Sequence, residues 1–191
     1  EGFGYTFKHF KVISRQLDSL LKENNWHLDL VTTPTYARWA GKYGSVSVEN
    51  QLKKMFPLSY ARIRVVPWTI QNLRNTANNA TFAIIPIDLN DKFASLKSEN
   101  KLLSMWTMGI PTFVSPIPSY TRVLKSLGID DFYLLNPNTG ENLDFLVSMV
   151  LPKIAEHRRR IANHIAEKHS SRLLANLWTT AFSQVIMQVE E

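Results

Sequence analysis

Apolar positions along this chain switch repeatedly between helical spacing and short continuous runs, and that alternation predicts the elements. Phe7, Phe10, Val12, Ile13, Leu17, Leu20 and Leu21 recur at intervals of three and four, which predicts an amphipathic helix over 7–23. The stretch 26–32 (WHLDLVT) reads as a strand, with Leu28, Leu30 and Val31 close together. From 35 to 57 the pattern predicts one or two short helices with breaks at Gly41 and Gly44. The run 63–66 (IRVV) predicts a strand ended by Pro67, and 70–78 a helix. The run 80–87 (ATFAIIPI) is the most hydrophobic of all and predicts a strand buried on both faces. A helix over 102–108 follows, capped by Ser98 and stopped by Gly109. Beyond it come a buried strand at 112–115 (TFVS), a helix at 118–127, a strand at 132–135 (FYLL) and a helix at 142–157, with helical pattern from 158 to the end.

Short strands separated by helices of about ten residues imply βαβ units and a doubly wound parallel sheet, an α/β class. At 191 residues the chain is in the range of one domain. We divide it into a Rossmann-like unit over 1–157 and a helical extension over 158–191 packed on it. In such sheets ligands bind outside the carboxyl ends of the strands, here just after Val66, Ile87, Ser115 and Leu135.

Composition narrows the function. With 45% hydrophobic and 11% aromatic residues the chain can build a core, which argues against disorder. It has no cysteine, so disulfides, thiolate catalysis and cysteine-ligated metals are excluded together, and a reducing, cytoplasmic setting is expected. No window approaches 18 apolar residues and the first residues lack a signal-peptide series, so a soluble chain is expected. The formal charge of +6 is compatible with nucleic acid, an anionic membrane surface or a phosphate-bearing ligand. The basic run Arg158, Arg159 and Arg160 beside His157 reads as a solvated helix face; peripheral membrane association stays open. Interleaved aromatics and nucleic-acid motifs are missing, so no nucleic-acid partner is expected. The five histidines show no ligand-like grouping with carboxylates, so no metal is expected. Nor is there a nucleophile triad, a phosphate-binding P-loop or a dinucleotide fingerprint.

The informative segment runs from 85 to 120. A buried strand ends at Ile87, a polar loop with Asp88 and Asn90 follows, and Lys97, Ser98, Glu99, Asn100 and Lys101 stand at the start of a helix. The first turn of a helix exposes unpaired N–H groups at the positive end of its dipole, and with flanking lysines it suits an anion. An ordinary capped surface helix has the same composition, so spacing alone leaves both readings open.

Lys97-Ser98-x-Asn100-Lys101-Leu102, then Trp106-x-x-Gly109-Ile110-Pro111, then Ser115-x-x-Pro118-x-Tyr120 resembles the donor-site region of GT-B-fold glycosyltransferases. The strand over 80–88 and the tail over 169–185 resemble the same family's corresponding strand and closing helices. The resemblance implies a group-1-like C-terminal half that binds a nucleotide-diphosphate sugar without a metal or other cofactor. It implies Lys97, Ser98, Asn100 and Lys101 at the diphosphate, and Pro67 and Trp68 near the base or ribose. Asp88 and Asn90 would meet ribose or sugar hydroxyls, and the loop carrying Gly2 and Gly4 would approach the phosphates. The acceptor site and usually the base would lie on an N-terminal domain, so the chain alone is expected to be inactive and to lack the first strand of its sheet. The departure is in the acids. Many retaining members carry two glutamates eight residues apart, the second five before the glycine; here those positions are Leu96 and Ser104, leaving Glu99 as the one acid in that turn. A non-catalytic partner module, a degenerate form of the same domain, is therefore the alternative.

Overall fold

The computed structural model describes residues 5–37, 45–93, 96–135, 143–170, 172–173 and 175–180. Two helices come first, α1 (Tyr5–Lys11) and α2 (Ser14–Glu23), where the apolar periodicity predicted one. The break falls at the β-branched pair Val12 and Ile13, where the Ser14 hydroxyl bonds the Lys11 carbonyl at 3.1 Å instead of continuing the helix. Asn25, in the left-handed region at φ 55°, turns the chain out of α2.

Strand β1 (Leu28–Thr32) pairs in parallel with β4 (Ile63–Pro67), Leu28 opposite Ile63 and Thr32 opposite Pro67. Arg64 binds Asp29 across this pair with two bonds of 2.9 and 2.6 Å. Between them lie β2 (Thr35–Ala37) and β3 (Ser45–Ser47), an antiparallel pair, and helix α3 (Val48–Met55) capped by the Ser47 hydroxyl. The all-helical reading of 35–57 is thus corrected; Gly41 and Gly44 lie outside the described residues. Helix α4 (Ile70–Asn79) starts at Thr69, whose hydroxyl accepts from the Asn72 N–H at 3.0 Å.

Strand β5 (Ala83–Ile85) pairs in parallel with β6 (Thr112–Val114), Ala83 opposite Thr112. Helix α5 (Asn100–Thr107) connects them, ending at Gly109 with φ 74°. Helix α6 (Pro118–Leu127) has proline at its first position and ends at Gly128 in the left-handed region. The strand expected at 132–135 is instead a short helix α7 (Asp130–Tyr133) followed by a single parallel bridge from Leu134 to Val114. Asp130 and Asp131 in the first turn favour the helix, and Leu135 still donates to the Val114 carbonyl at 2.7 Å. Helices α8 (Leu143–Val150) and α9 (Ile154–Lys168) flank a single 3-10 turn at Leu151–Lys153, because Pro152 cannot continue α8. The division drawn at 157/158 therefore falls inside α9, whose Ile161 belongs to the common core.

The architecture is mixed α/β and Rossmann-like, with its parallel strands in two small sheets, β1–β4 and β5–β6, among the described residues. Helices α1, α2, α3 and α8 pack together, and α5, α6 and α9 form a second group. Phe56, Phe113, Tyr120, Tyr133 and Trp106 fill the centre. The Tyr133 hydroxyl meets His157 Nδ1 at 3.0 Å, so α7 is tied to α9 by a buried polar pair. Among the described residues no helix is long and apolar enough to cross a membrane.

Candidate functional site

The carboxyl end of β5 is built by one serine. Ser115 Oγ accepts the Ile87 N–H at 2.7 Å and donates to the Ile87 carbonyl at 3.0 Å, all of it buried. This clasp carries the β5–β6 pairing two residues past the last strand position and sets where Asp88 begins. The Asp88 N–H then donates to His9 Nδ1 at 3.0 Å, joining α1 to the strand end across 79 residues of sequence. Asp88 is buried and its Oδ1 accepts from both the Asn90 N–H (3.0 Å) and the Asn90 side-chain amide (3.2 Å), an Asx turn. Lys8 Nζ lies 3.6 Å from Asp88 Oδ2 and 3.5 Å from Asp91 Oδ2.

His9 Nε2 lies 3.3 Å from Lys97 Nζ. Because Nδ1 accepts from a backbone N–H, neutral His9 carries its proton on Nε2, an assignment that follows from the bonding. The lysine ammonium offers only donors, so two donors face each other there. Burial lowers the His9 pKa, the Lys97 charge lowers it further, and Asp91 and Asp88 oppose the shift. An acceptor oxygen placed against both donors would relieve this contact, and a phosphate or sugar oxygen is of that kind.

The segment reaching α5 is anchored by Ser119, whose hydroxyl donates to the Lys97 carbonyl at 2.7 Å. The cap position of α5 belongs to Glu99, with no side-chain cap bond, and Asn100 is the first helical residue. The expected Ser98 cap is therefore corrected: Ser98 is exposed and lies one residue outside. Asn100 and Lys101 are exposed in the first turn, as an anion site there would need. Glu99 pairs with Arg122 at 3.0 Å, so the one acid in this turn is held in an ion pair with α6. Burial, with Glu99 adding, pushes the nearby Tyr120 hydroxyl up to about 12.

Pro67 is the last residue of β4, paired opposite Thr32, and Trp68 follows it. The Trp68 N–H donates to the Thr32 carbonyl at 3.0 Å while the residue is 59% exposed. Pro67 lines a cavity of about 430 Å³ between β4 and α4 with Arg64, Val66, Asn72, Asn75 and Asn79. This hollow is not lined by His9, Asp88 or Lys97. The Asn72 and Asn79 side chains are bonded to the Pro67 and Asn75 carbonyls. Gly2 and Gly4 lie outside the described residues.

Asp88, Asn90 and Lys97 thus come together, joined by Lys8, His9 and Asp91, which the sequence pattern did not single out. No local signal marks them: the His9–Lys97 contact spans 88 positions. Among the described residues no group of three histidine, aspartate or glutamate side chains is arranged to hold a metal ion.

No family model matches the chain, and no curated protein matches it in sequence. Among solved structures, that of a mutant O-GlcNAc transferase of Thermobaculum terrenum is similar, with a TM-score of 0.54 and 14% identity over 91% of this chain. The chain spans 32% of that protein's length. At that identity the similarity shows the fold alone, a mixed α/β arrangement like that of part of the transferase.

Proposed function

We propose that this chain is the donor-binding half of a glycosyltransferase, holding a nucleotide-diphosphate sugar at the carboxyl ends of β5 and β6. The observation that carries the reading is the convergence of His9 Nε2 and Lys97 Nζ at a strand end next to the first turn of α5. A diphosphate oxygen accepts from both, and the exposed N–H groups, Asn100 and Lys101 at the start of α5 take further oxygens. Ser98 lies beside this turn. Lys8 is shared with Asp88 and Asp91, so the cluster is no purely cationic patch. Such a mixture suits a ligand carrying both anionic oxygens and hydroxyls: phosphate on the lysine side, ribose or sugar hydroxyls toward Asp88 and Asn90. Pro67 and Trp68 offer an apolar edge for the base.

Transfer needs a stabilised leaving group, an oriented acceptor and, for inversion, a base. This chain supplies the first through fixed donors. Its acids in the region are engaged, Glu99 with Arg122 and Asp88 with Asn90, so acceptor and base come from a second domain. The same engagement favours the alternative of a non-catalytic binding module. A thermal-shift panel of UDP, GDP, ADP, TDP and CMP tests the reading. A ligand at 100 times its Kd adds about 2.7 kcal/mol of stability, so one nucleotide is expected to raise Tm by several degrees. His9→Ala and Lys97→Ala are expected to abolish that response in proteins that still fold. No shift with any of the nucleotides would reject the donor-site reading for this chain.

A further inference from the structure

Helix α4 carries two faces. Leu73 and Ala77, four residues apart, form the inward one, half-buried and buried respectively. Asn72, Asn75, Thr76 and Asn79 recur at three and four residues on the next face, and all four line the hollow of about 430 Å³ against β4. That volume falls in the range of small-molecule pockets, about 300–1,000 Å³. Asn75 and Thr76 stand in mid-helix, where asparagine and threonine are poor formers, so helix formation alone does not account for them. Much of the bonding capacity on this face is left over. Asn72 and Asn79 each spend the side-chain amide on a main-chain carbonyl, and Asn75 spends its side-chain oxygen on Gln71. Among the described residues the side-chain oxygens of Asn72 and Asn79, the Asn75 amide nitrogen and the Thr76 hydroxyl have no hydrogen-bond partner. In α5, by contrast, the Ser104 and Thr107 hydroxyls donate to the carbonyl four residues back.

The chemistry of the lining selects the ligand. Arg64 is its one charged residue, and Asp29 takes that guanidinium with bonds of 2.9 and 2.6 Å, so an anion gains little there. A peptide strand laid along β4 is disfavoured too. Trp68 donates to Thr32, so Val66 turns its backbone groups toward β1 while Val65 and Pro67 turn theirs the other way. Pro67 has no N–H and its carbonyl is held by Asn72 at 2.8 Å, so a ladder on that edge stops at Val65. What remains is a neutral set of donors and acceptors beside the apolar Val65, Val66 and Pro67. We infer that this hollow binds a saccharide, an uncharged pyranose unit of a glycan. Each sugar hydroxyl donates and accepts at once, so neighbouring hydroxyls use both the Asn75 amide N–H groups and the Asn79 oxygen, and Thr76 serves either role. The C–H face of the ring lies on the valine and proline wall. Arg64, Pro67, Asn75 and Asn79 are exposed, which gives the sugar access from solvent. The inference does not rest on the donor-site reading: His9, Asp88 and Lys97 do not line the hollow, and Pro67 alone is shared with the apolar edge proposed for the base.

Side-chain amide signals in nitrogen-15 NMR spectra test this. Glucose, galactose, mannose and N-acetylglucosamine, each free and as its methyl glycoside, are titrated to their solubility limits into the 191-residue chain. At least one is expected to move the Asn75 and Asn79 amide signals along a saturable curve. Asn75→Ala and Thr76→Val are each expected to weaken that sugar at least about tenfold. Alanine is the better helix former and valine keeps the branched shape of threonine, so both variants are expected to fold, which circular dichroism verifies. Both are expected to leave any nucleotide response unchanged, so loss of nucleotide binding by the parent chain would reject the donor-site reading without touching this one. The inference is overturned if none of the sugars moves these signals, or if both variants bind as tightly as the parent. It is equally overturned if UDP, GDP or acetylated and amidated trialanine moves them as strongly as the best sugar.

Discussion

Replacing Ser115 by alanine removes a hydroxyl that serves both backbone groups of Ile87. The residue is 1% exposed, so water cannot readily take its place. Each of the two bonds, at 2.7 and 3.0 Å, is worth about 0.5–1.5 kcal/mol net, and a buried backbone group left without a partner costs about 1–3 kcal/mol. Partial relaxation of the loop recovers some of this, so a loss of about 2–4 kcal/mol is expected. In a domain of this size 1 kcal/mol moves Tm by about 2–4 °C, so the midpoint should fall by roughly 4–16 °C. The urea midpoint should drop with an unchanged slope, because the native surface is retained. The clasp also sets Asp88 against His9, so nucleotide affinity should weaken in the fraction that remains folded. A stability loss below about 0.5 kcal/mol would refute the reasoning, since it would mean that the Ile87 groups find partners without Ser115.

Burial lowers the pKa of His9, His157 and His164 below the ordinary 6.5. The unfolded chain therefore takes up protons first on acidification, so their contribution to stability is intact above 6.5 and is lost as pH falls below it. Tm followed from about pH 7.5 to 5.5 should decline, and His164→Gln should flatten part of that slope. Gly128→Ala meets no steric contact within 4 Å but forces a left-handed φ of 63°, so it should cost about 1 kcal/mol in urea unfolding and leave nucleotide affinity unchanged. Glu99→Gln removes a negative charge from the start of α5 and should tighten nucleotide binding about two- to threefold by calorimetry. Weaker binding would place the Glu99 carboxylate in contact with the ligand.

Much of the fold was legible because its signals are local. The IRVV and TFVS runs became β4 and β6, and the helices expected over 70–78 and 118–127 are α4 and α6. Misreadings arose where a local rule met a competing one. The FYLL run has strand composition, yet two aspartates after Gly128 start a helix there. Glu99 displaced Ser98 as the cap because Ser119 holds the Lys97 carbonyl and Arg122 takes the glutamate, both from α6. In the candidate site Asp88, Asn90 and Lys97 could be proposed from their place after a strand or before a helix. Lys8 and His9 could not, because only the packing of α1 against the end of β5 brings them there.

Isothermal titration of nucleoside diphosphates into the chain, with Lys97→Ala in parallel, tests the central claim most directly. The account predicts saturable heat for one nucleoside diphosphate and at least about tenfold weaker binding by Lys97→Ala, a change of about 1.4 kcal/mol. Equal affinity of the two proteins, or no heat from any nucleotide with a chain shown to be folded, would contradict it.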